Sequence, residues 1–468
     1  MRYFMMSLRG RQAEAILKKI NSIKDCFVPC TLRCMVLAMT KGALSLLLAL
    51  IFFVGLTYAE EQKSNTAGWK LKFGAEERFR NEFKQDFDFD QSKRDNGTLF
   101  FHRLRLSTKA SWLNESGVNV MDIFVEGLDA QTGSYQTKAT ATQVDDFDLH
   151  QGFVSLNDIL GSPFDVKIGR QELKYGKDRL IAQPSWSNRV RAFDTAVVHY
   201  EAKGLYADLL YGQDVKYDDN NFNRSLDEEY IAGVYAGYQK DKSASLFESY
   251  FLTQVITTTD TPTKRYTAGL RWQGTLFEKF ACDIELPYQF GEVGTKDIRA
   301  FAAHVDVSRG FDSIKWKPKV TLEYNYATGD KDPNDSVSNT FNPLYQSTHS
   351  PYGVIDFFRW QNMREAAAFV QLSPQEKLKL NPQIHFFWLD SKFDSWVNSS
   401  GTTLRSKTSG DREYFVGTEA ALTVSYDLSK NIKLETGYAH FFIGPYVRDT
   451  GADDDADWFY SQVNFKYY

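Results

Sequence analysis

Two stretches near the C-terminus decide how this chain reads: Asn431–Ile443, NIKLETGYAHFFI, and Trp458–Tyr467, WFYSQVNFKY. In the first, Ile432, Leu434, Thr436 and Tyr438 share one face, and Lys433, Glu435 and Gly437 share the other. In the second, Phe459, Val463, Phe465 and Tyr467 alternate with Tyr460, Gln462, Asn464 and Lys466. A period of two marks a strand with one apolar and one wet face. A strand running to Tyr467-Tyr468 has an edge that needs a partner, and a closed sheet supplies one. The pattern predicts a transmembrane antiparallel β-barrel, with lipid on the apolar face and water on the other.

The alternation recurs upstream. Leu104, Leu106 and Ala110 oppose Arg103, Arg105 and Lys109, and Val166 and Ile168 oppose Asp165 and Lys167. Val320, Leu322, Tyr324 and Tyr326 oppose Thr321, Glu323 and Asn325, and Leu378, Leu380, Ile384 and Phe386 oppose Lys379, Asn381, Gln383 and His385. Eighteen candidate strands fit between Trp69 and Tyr467, the first over 69–79 and a later one over 356–372. The even number suits a one-chain barrel. Tight polar connections such as 114–117, 202–204 and 427–431 interleave with longer ones at 80–98, 129–145, 174–190, 214–228, 329–355, 392–410 and 444–455. Short turns at one end and long loops at the other are the expected periplasmic and extracellular sides, with both termini periplasmic.

Composition agrees. Aromatics make up 15% of 468 residues, and mean hydropathy is −0.42, too low for a bundle of membrane helices. The only long uncharged apolar run, Gly42 to Ala59, follows Lys41 and precedes Glu60-Glu61, as in a secretory signal peptide cleaved after Ala59. An uncleaved anchor helix is the alternative, at barely spanning length. Met39 makes a compact signal start, so residues 1–38 read as a dispensable extension, 39–59 as the signal peptide and 60–468 as the barrel. Cys26, Cys30 and Cys34 fall in the extension, and Cys282 alone cannot form an internal disulfide. The first 59 residues carry eight Lys/Arg and two Asp/Glu, leaving 47 basic and 58 acidic side chains, a net of −11. Such a chain is no general binder of anions or nucleic acid, so any anion preference must come from a local cluster.

With these elements placed, the chain resembles the alginate-export family of outer-membrane barrels. The resemblance is carried by Ile168-Gly169-Arg170-Gln171-Glu172-Leu173-Lys174-Tyr175-Gly176, then Arg179-Leu180-Ile181, Trp186, Asn188 and Arg191-Ala192-Phe193-Asp194. A second patch runs from Glu323 to Asp330, then Phe341 and Pro351-Tyr352-Gly353. It implies an 18-stranded barrel that passively exports an anionic polysaccharide through an arginine-rich pore.

The arginines are therefore the residues to weigh. A guanidinium pairs a carboxylate through two parallel hydrogen bonds, and a uronate polymer offers one carboxylate per sugar. Arg170, Arg179, Arg189 and Arg191 lie on or beside one motif-bearing hairpin with Glu172 and Asp194, while Arg103, Arg105, Arg271, Arg299, Arg359 and Arg364 lie elsewhere on the strands. All twelve are expected to line the pore. The blander reading has the arginines pairing with Glu126, Glu172, Asp194, Asp283, Glu285 and Glu323 to stiffen the wall. The region from Gln171 to Arg191 is expected to fold inward as a loop anchored by aromatics. Trp112, Trp272, Trp388 and Trp458 read as interface-girdle aromatics. The acidic runs at Asp330–Asp335 and Asp453–Asp457 lack the spacing of a calcium loop and read as solvated loops near lipopolysaccharide. The seven histidines are scattered outside any nucleophile or metal motif, so neither enzyme activity nor a cofactor or metal is expected. The expected partners are outer-membrane lipid and lipopolysaccharide, an anionic polysaccharide or smaller anionic solutes, and a periplasmic export complex. The rival readings are an unselective general porin, a barrel hydrolase acting at the rim, and a plugged structural anchor.

Overall fold

In the computed structural model, the described residues are 67–467 apart from 94–95, 136–142, 184, 219–220, 258–259, 350 and 407–412. The expected extension, leader and cleavage point lie outside them. Eighteen antiparallel strands form one closed sheet. They are β1 Gly68–Gln85, β2 Gly97–Leu113, β3 Asn119–Tyr135, β4 Asp145–Leu156, β5 Phe164–Gln171, β6 Phe193–Ala202, β7 Leu205–Lys216, β8 Arg224–Tyr238 and β9 Leu246–Ile256. The circuit continues with β10 Thr263–Leu276, β11 Phe280–Val293, β12 Lys296–Gly310, β13 Lys319–Ala327, β14 Met363–Gln375, β15 Leu378–Trp388, β16 Phe415–Ser429, β17 Ile432–Ile443 and β18 Ala456–Tyr467. Each strand pairs with the next, and β18 closes on β1 in the register Ala75↔Tyr467 to Gln85↔Asp457. Closure leaves no unpaired edge inside lipid, where an orphan N–H or C=O costs several kcal/mol.

Period-two patterning sets the two faces. Leu270, Leu322, Leu209 and Phe247 are more than half exposed on the outer wall, while their odd–even neighbours Arg271, Glu323, Asp208 and Glu248 turn inward. Trp69 and Trp112 pack edge to face at 5.3 Å at the short-turn end, where an interfacial aromatic ring belongs. Trp272 and Trp388 also face out. Trp458 does not: it is 2% exposed, faces the lumen and donates to Glu82 at 3.4 Å. Polar sets interrupt the outer face, among them His102, 3.1 Å from Glu77 and 3.8 Å from Asp129.

Some boundaries differ from expectation. β1 continues to Gln85, because Arg80, Glu82 and Lys84 keep the inward parity of Arg78. The connection expected at 80–98 is therefore shorter, and that at 129–145 is shorter because β3 runs on to Tyr135. The strand expected over 356–372 begins only at Met363, and 356–362 belongs to a long loop inside the barrel.

The described residues of loops 328–362 and 389–414 fill much of the lumen toward the long-loop end. Their Phe341, Tyr345, Tyr352, Phe358, Trp360 and Trp396 join Phe387, Phe441 and Tyr446 in one apolar core. Phe358 stacks on Phe387 of β15 at 4.0 Å. The indole N–H groups of Trp360 and Trp396 donate to the carbonyls of Tyr326 and Phe357, each at 2.9 Å. Each such aromatic contributes roughly 1.5–3 kcal/mol by leaving water. The wall carboxylate Glu419 accepts from the Val354 and Ile355 amides at 2.6 and 3.4 Å. A short parallel bridge between Ile181 and Tyr345 ties this plug to loop 172–192.

Candidate lumen constriction

The inward face of β1 reads Glu76, Arg78, Arg80, Glu82, four charges at every second position. On β2 the inward residues include Arg103 and Arg105, with Arg78 in register opposite Arg103 and Glu76 opposite Arg105. Strand neighbours lie about 5 Å apart, so three guanidinium groups crowd one patch of wall. Arg103 pairs with Glu76 and Arg80 with Glu82, the latter at 2.7 Å. Arg78 has no carboxylate within ion-pair distance among the described residues, although it is only 2% exposed.

What Arg78 holds is backbone. It donates to the carbonyls of Ser185 and Ser187 at 2.8 and 3.2 Å, and to Asn188 Oδ1 at 3.3 Å. Arg103 donates to the same two carbonyls at 2.9 Å each, and Arg80 to that of Trp186 at 2.7 Å. Loop 172–192 is thereby pinned across the lumen. The Asn188 amide anchors it further, donating to the carbonyls of His102, Gln131 and Gln143 at 3.2, 3.1 and 2.9 Å. The Trp186 ring lies 3.9 Å from the Arg80 guanidinium and 3.9 Å from the His349 ring.

Two cavities meet here, and Trp186 is the one lining residue they share. The larger, about 980 Å³, reaches the short-turn end at Lys430 and Asn431, and eight basic side chains line it against five acidic ones. The smaller, about 680 Å³, reaches the long loops at Phe87, Tyr217 and Ser400, with five basic against three acidic. On a chain with a net charge of −5, the linings of these two cavities have the opposite bias.

Eight of the twelve residues expected in the pore lie inside. Arg105 bridges Glu126 and Glu172, each at 2.7 Å. Burial alone raises the Glu172 carboxyl, but the hydrogen bond from His150 and the Arg105 charge outweigh it and hold it at about 2. Arg179 reaches Asp283 and Glu285 at 3.0 and 2.7 Å, and Arg271 joins Asp283 and Glu248. These arginines stiffen the wall through carboxylate pairs. Arg191 stands 3.7 Å from Asp214, and Arg189 lies over the Tyr217 ring at 4.3 Å. Burial and the neighbouring Arg191 and Arg265 charges push the Arg359 guanidinium down to about 10.

The other four lie on the outer wall. Arg170 and Asp194 pair with each other at 2.8 Å, and Arg170 shares the parity of the exposed Ile168. Arg299 shares the parity of exposed Phe301 and pairs with Asp297. Arg364, in register with Tyr326 in the column of exposed Tyr324, pairs with Asp390. Period two decides each case, since a residue two positions from a lipid-facing one faces the same way. The sequence reading passed over Glu76, Arg78, Arg80 and Glu82. The signal was present in EERFRNEF, where charges at even positions alternate with Phe79 and Phe83.

Glu126, His150 and Glu172, and separately Asp283, His304 and Asp306, bring ligand atoms within 4.8 Å of one another. Arg105 stands against two carboxylates of the first group, and Arg179 and Arg271 against Asp283 of the second, where a cation's charge would otherwise go.

A protein-family model described as alginate export matches residues 69–461, and the chain belongs to that family. No curated protein matches it. Among solved structures, it is similar to OpdQ of Pseudomonas aeruginosa, with 13% identity, a TM-score of 0.57, and coverage of 85% of this chain and 99% of that one. OccAB1 of Acinetobacter baumannii shows 12% identity and a TM-score of 0.56, with coverage of 85% and 97%. OpdO of Pseudomonas aeruginosa gives the same figures as OccAB1. At this identity the likeness establishes the barrel fold alone. Family and fold together make the chain an outer-membrane barrel of channel type.

Proposed function

We propose that this member of the alginate-export family passively conducts an anionic polysaccharide, its oligosaccharides or smaller anionic solutes, and performs no chemistry on them. The observation that carries the reading is the basic bias of both lumen cavities, the larger of them lined by Arg78, which has no carboxylate partner among the described residues. Carboxylates pass from one guanidinium to the next, each contact favourable enough to admit the polymer and weak enough to release it. Lys430, Lys433 and Lys466 draw anions to the periplasmic mouth. A polymer-delivering export complex is the partner this reading expects there.

Arg299 and Arg364 have a different role. On the outer wall near the long-loop end, they suit the phosphates of lipopolysaccharide. The channel reading is tested in planar bilayers under a salt gradient. A reversal potential of anion-selective sign, with current blocked by oligogalacturonate but not by neutral maltohexaose, supports it. Cation selectivity, or equal block by both sugars, overturns it.

A further inference from the structure

We propose that Arg78, Arg80 and Arg103 form an anion subsite that the chain itself occupies, and that a substrate carboxylate opens the lumen by displacing the backbone carbonyls of residues 185–187. The inference rests on the anion-channel reading and adds a device to it. Five hydrogen bonds from the three guanidinium groups end on three neutral carbonyl oxygens. Guanidinium is matched far better by a carboxylate, whose charge-assisted bonds are roughly twice as strong as neutral ones. Arg103 and Arg80 already share Glu76 and Glu82, so the vacancy for a carboxylate is at Arg78. Its Nε is buried without an acceptor. A buried guanidinium held only by neutral dipoles is a seat for an anion.

The occupying segment is built to be exchanged. Its C-terminal end is fixed by Asn188, which is 2% exposed and tied to the strand carbonyls of His102 and Gln131 and to the loop carbonyl of Gln143. Residues 185–187 touch the β1–β2 wall through the arginines, β18 through edge contacts of the Trp186 ring with Trp458 and Tyr460 at 5.8 and 4.9 Å, and loop 347–349 through one Ser187–Thr348 hydroxyl contact at 2.9 Å and the Trp186–His349 stack. None of 185–187 is among the fully buried members of the apolar core, and Trp186, only partly buried, packs against its edge. Trp186 stands where the two cavities meet. Displacing its carbonyl from Arg80, and its neighbours' carbonyls from Arg78 and Arg103, takes the ring away from that junction. The anion that opens the path is then the anion that follows it, which couples opening to the charge of the cargo.

The test uses the full chain in detergent and in bilayers, with Cys282→Ala and the three N-terminal cysteines changed to Ser. A spin label is placed at Ser185→Cys, whose side chain is exposed. Oligogalacturonate should shorten the label's correlation time by about threefold, the change expected when loop motion replaces a pinned backbone. Maltohexaose should leave it unchanged. Arg78→Ala should be mobile without any anion and conduct with Trp186 displaced. Should Arg78→Ala fail to fold, Arg78→Lys serves, because one ammonium cannot span both Ser185 and Ser187 carbonyls as the forked guanidinium does. Folding is checked by the heat-dependent gel shift of a barrel. A label indifferent to oligogalacturonate, in a channel that the oligomer still blocks or crosses, overturns the latch and leaves the channel reading intact. A label that loosens while the oligomer neither blocks nor crosses upholds the latch and overturns the transport reading.

Discussion

Lowering the pH should undock loop 172–192 before it disturbs the barrel, and Glu172 sets where this happens. Its carboxylate, 5% exposed in the side chain, accepts from His150 Nε2 and Arg105 Nη2 at 2.7 Å each and from the Gln183 amide. These partners hold its pKa at about 2 against an ordinary value of 4.5. A carboxyl depressed on folding contributes stability that is complete above the unfolded pKa and is lost as pH falls toward the folded one. The window is therefore about 4.5 down to about 2, and the full contribution is about 3 kcal/mol at 1.36 kcal/mol per unit. Hydrogen exchange of peptides covering 172–192, corrected for intrinsic rates, should show protection falling across that window by about two orders of magnitude. Glu172→Gln should be less protected near neutral pH and should lose the slope, because an amide neither gains nor loses a proton there. Other carboxyls titrate in the same range, so the difference between wild type and variant is the measurement. If both follow the same pH curve, Glu172 does not hold the loop and the argument fails.

Three further outcomes follow from the geometry. Trp360→Ala removes a fully buried ring and its bond to the Tyr326 carbonyl, at a cost of about 3–5 kcal/mol; proteolysis within 328–362 and a larger single-channel conductance should report it, while the barrel keeps its gel shift. Arg359→Met removes a buried cation pressed by Arg191 and Arg265, and should stabilise loop docking against urea by about 1–2 kcal/mol after allowance for partial exposure; a lower midpoint would show the charge to be well solvated. Leu270→Arg, on an outer-wall position 64% exposed, should cost about 2–4 kcal/mol in folding into lipid vesicles, whereas a cost near zero would place Leu270 away from the hydrocarbon.

The barrel was legible because closure and alternation are properties of the sequence pattern alone. Ile432 to Tyr438 and Phe459 to Tyr467 show the face that lipid requires, and the closing pair β18–β1 supplies the partner their edge demands. The site was legible only in part. Parity in IGRQE already put Arg170 with Ile168 on the outside, but the motif drew attention to the residue type over its direction. The lumen face of β1 was missed because charged residues past Phe79 resemble a loop, although in a barrel a water-filled interior lets polar strands run beyond the lipid. The core within loops 328–362 and 389–414 has no period to read. Trp360 and Trp396 gain their meaning from Tyr326 and Phe357, partners distant in sequence that only the closed fold brings together. Trp458 went astray likewise, since an aromatic near a strand end suits a girdle as well as a lumen.

Loop 328–362 and segment 185–187 differ in what binds them, and the difference decides which can move. Loop 328–362 is fastened by apolar burial, with Phe341, Tyr352 and Trp360 all at or below 2% exposure, reinforced by the Glu419 carboxylate on backbone amides. No soluble anion competes for such contacts, because water removed from hydrocarbon surface is not returned by a carboxylate. Segment 185–187 is fastened by guanidinium groups on neutral carbonyls, and an anion competes for those directly. Arg78 faces carbonyls, and a carboxylate beside it is drawn in. The chemistry under each loop thus separates a permanent lining from a removable one: apolar burial keeps the 328–362 plug seated in the presence of a polyanion, while the arginine gives up its segment to the same ligand.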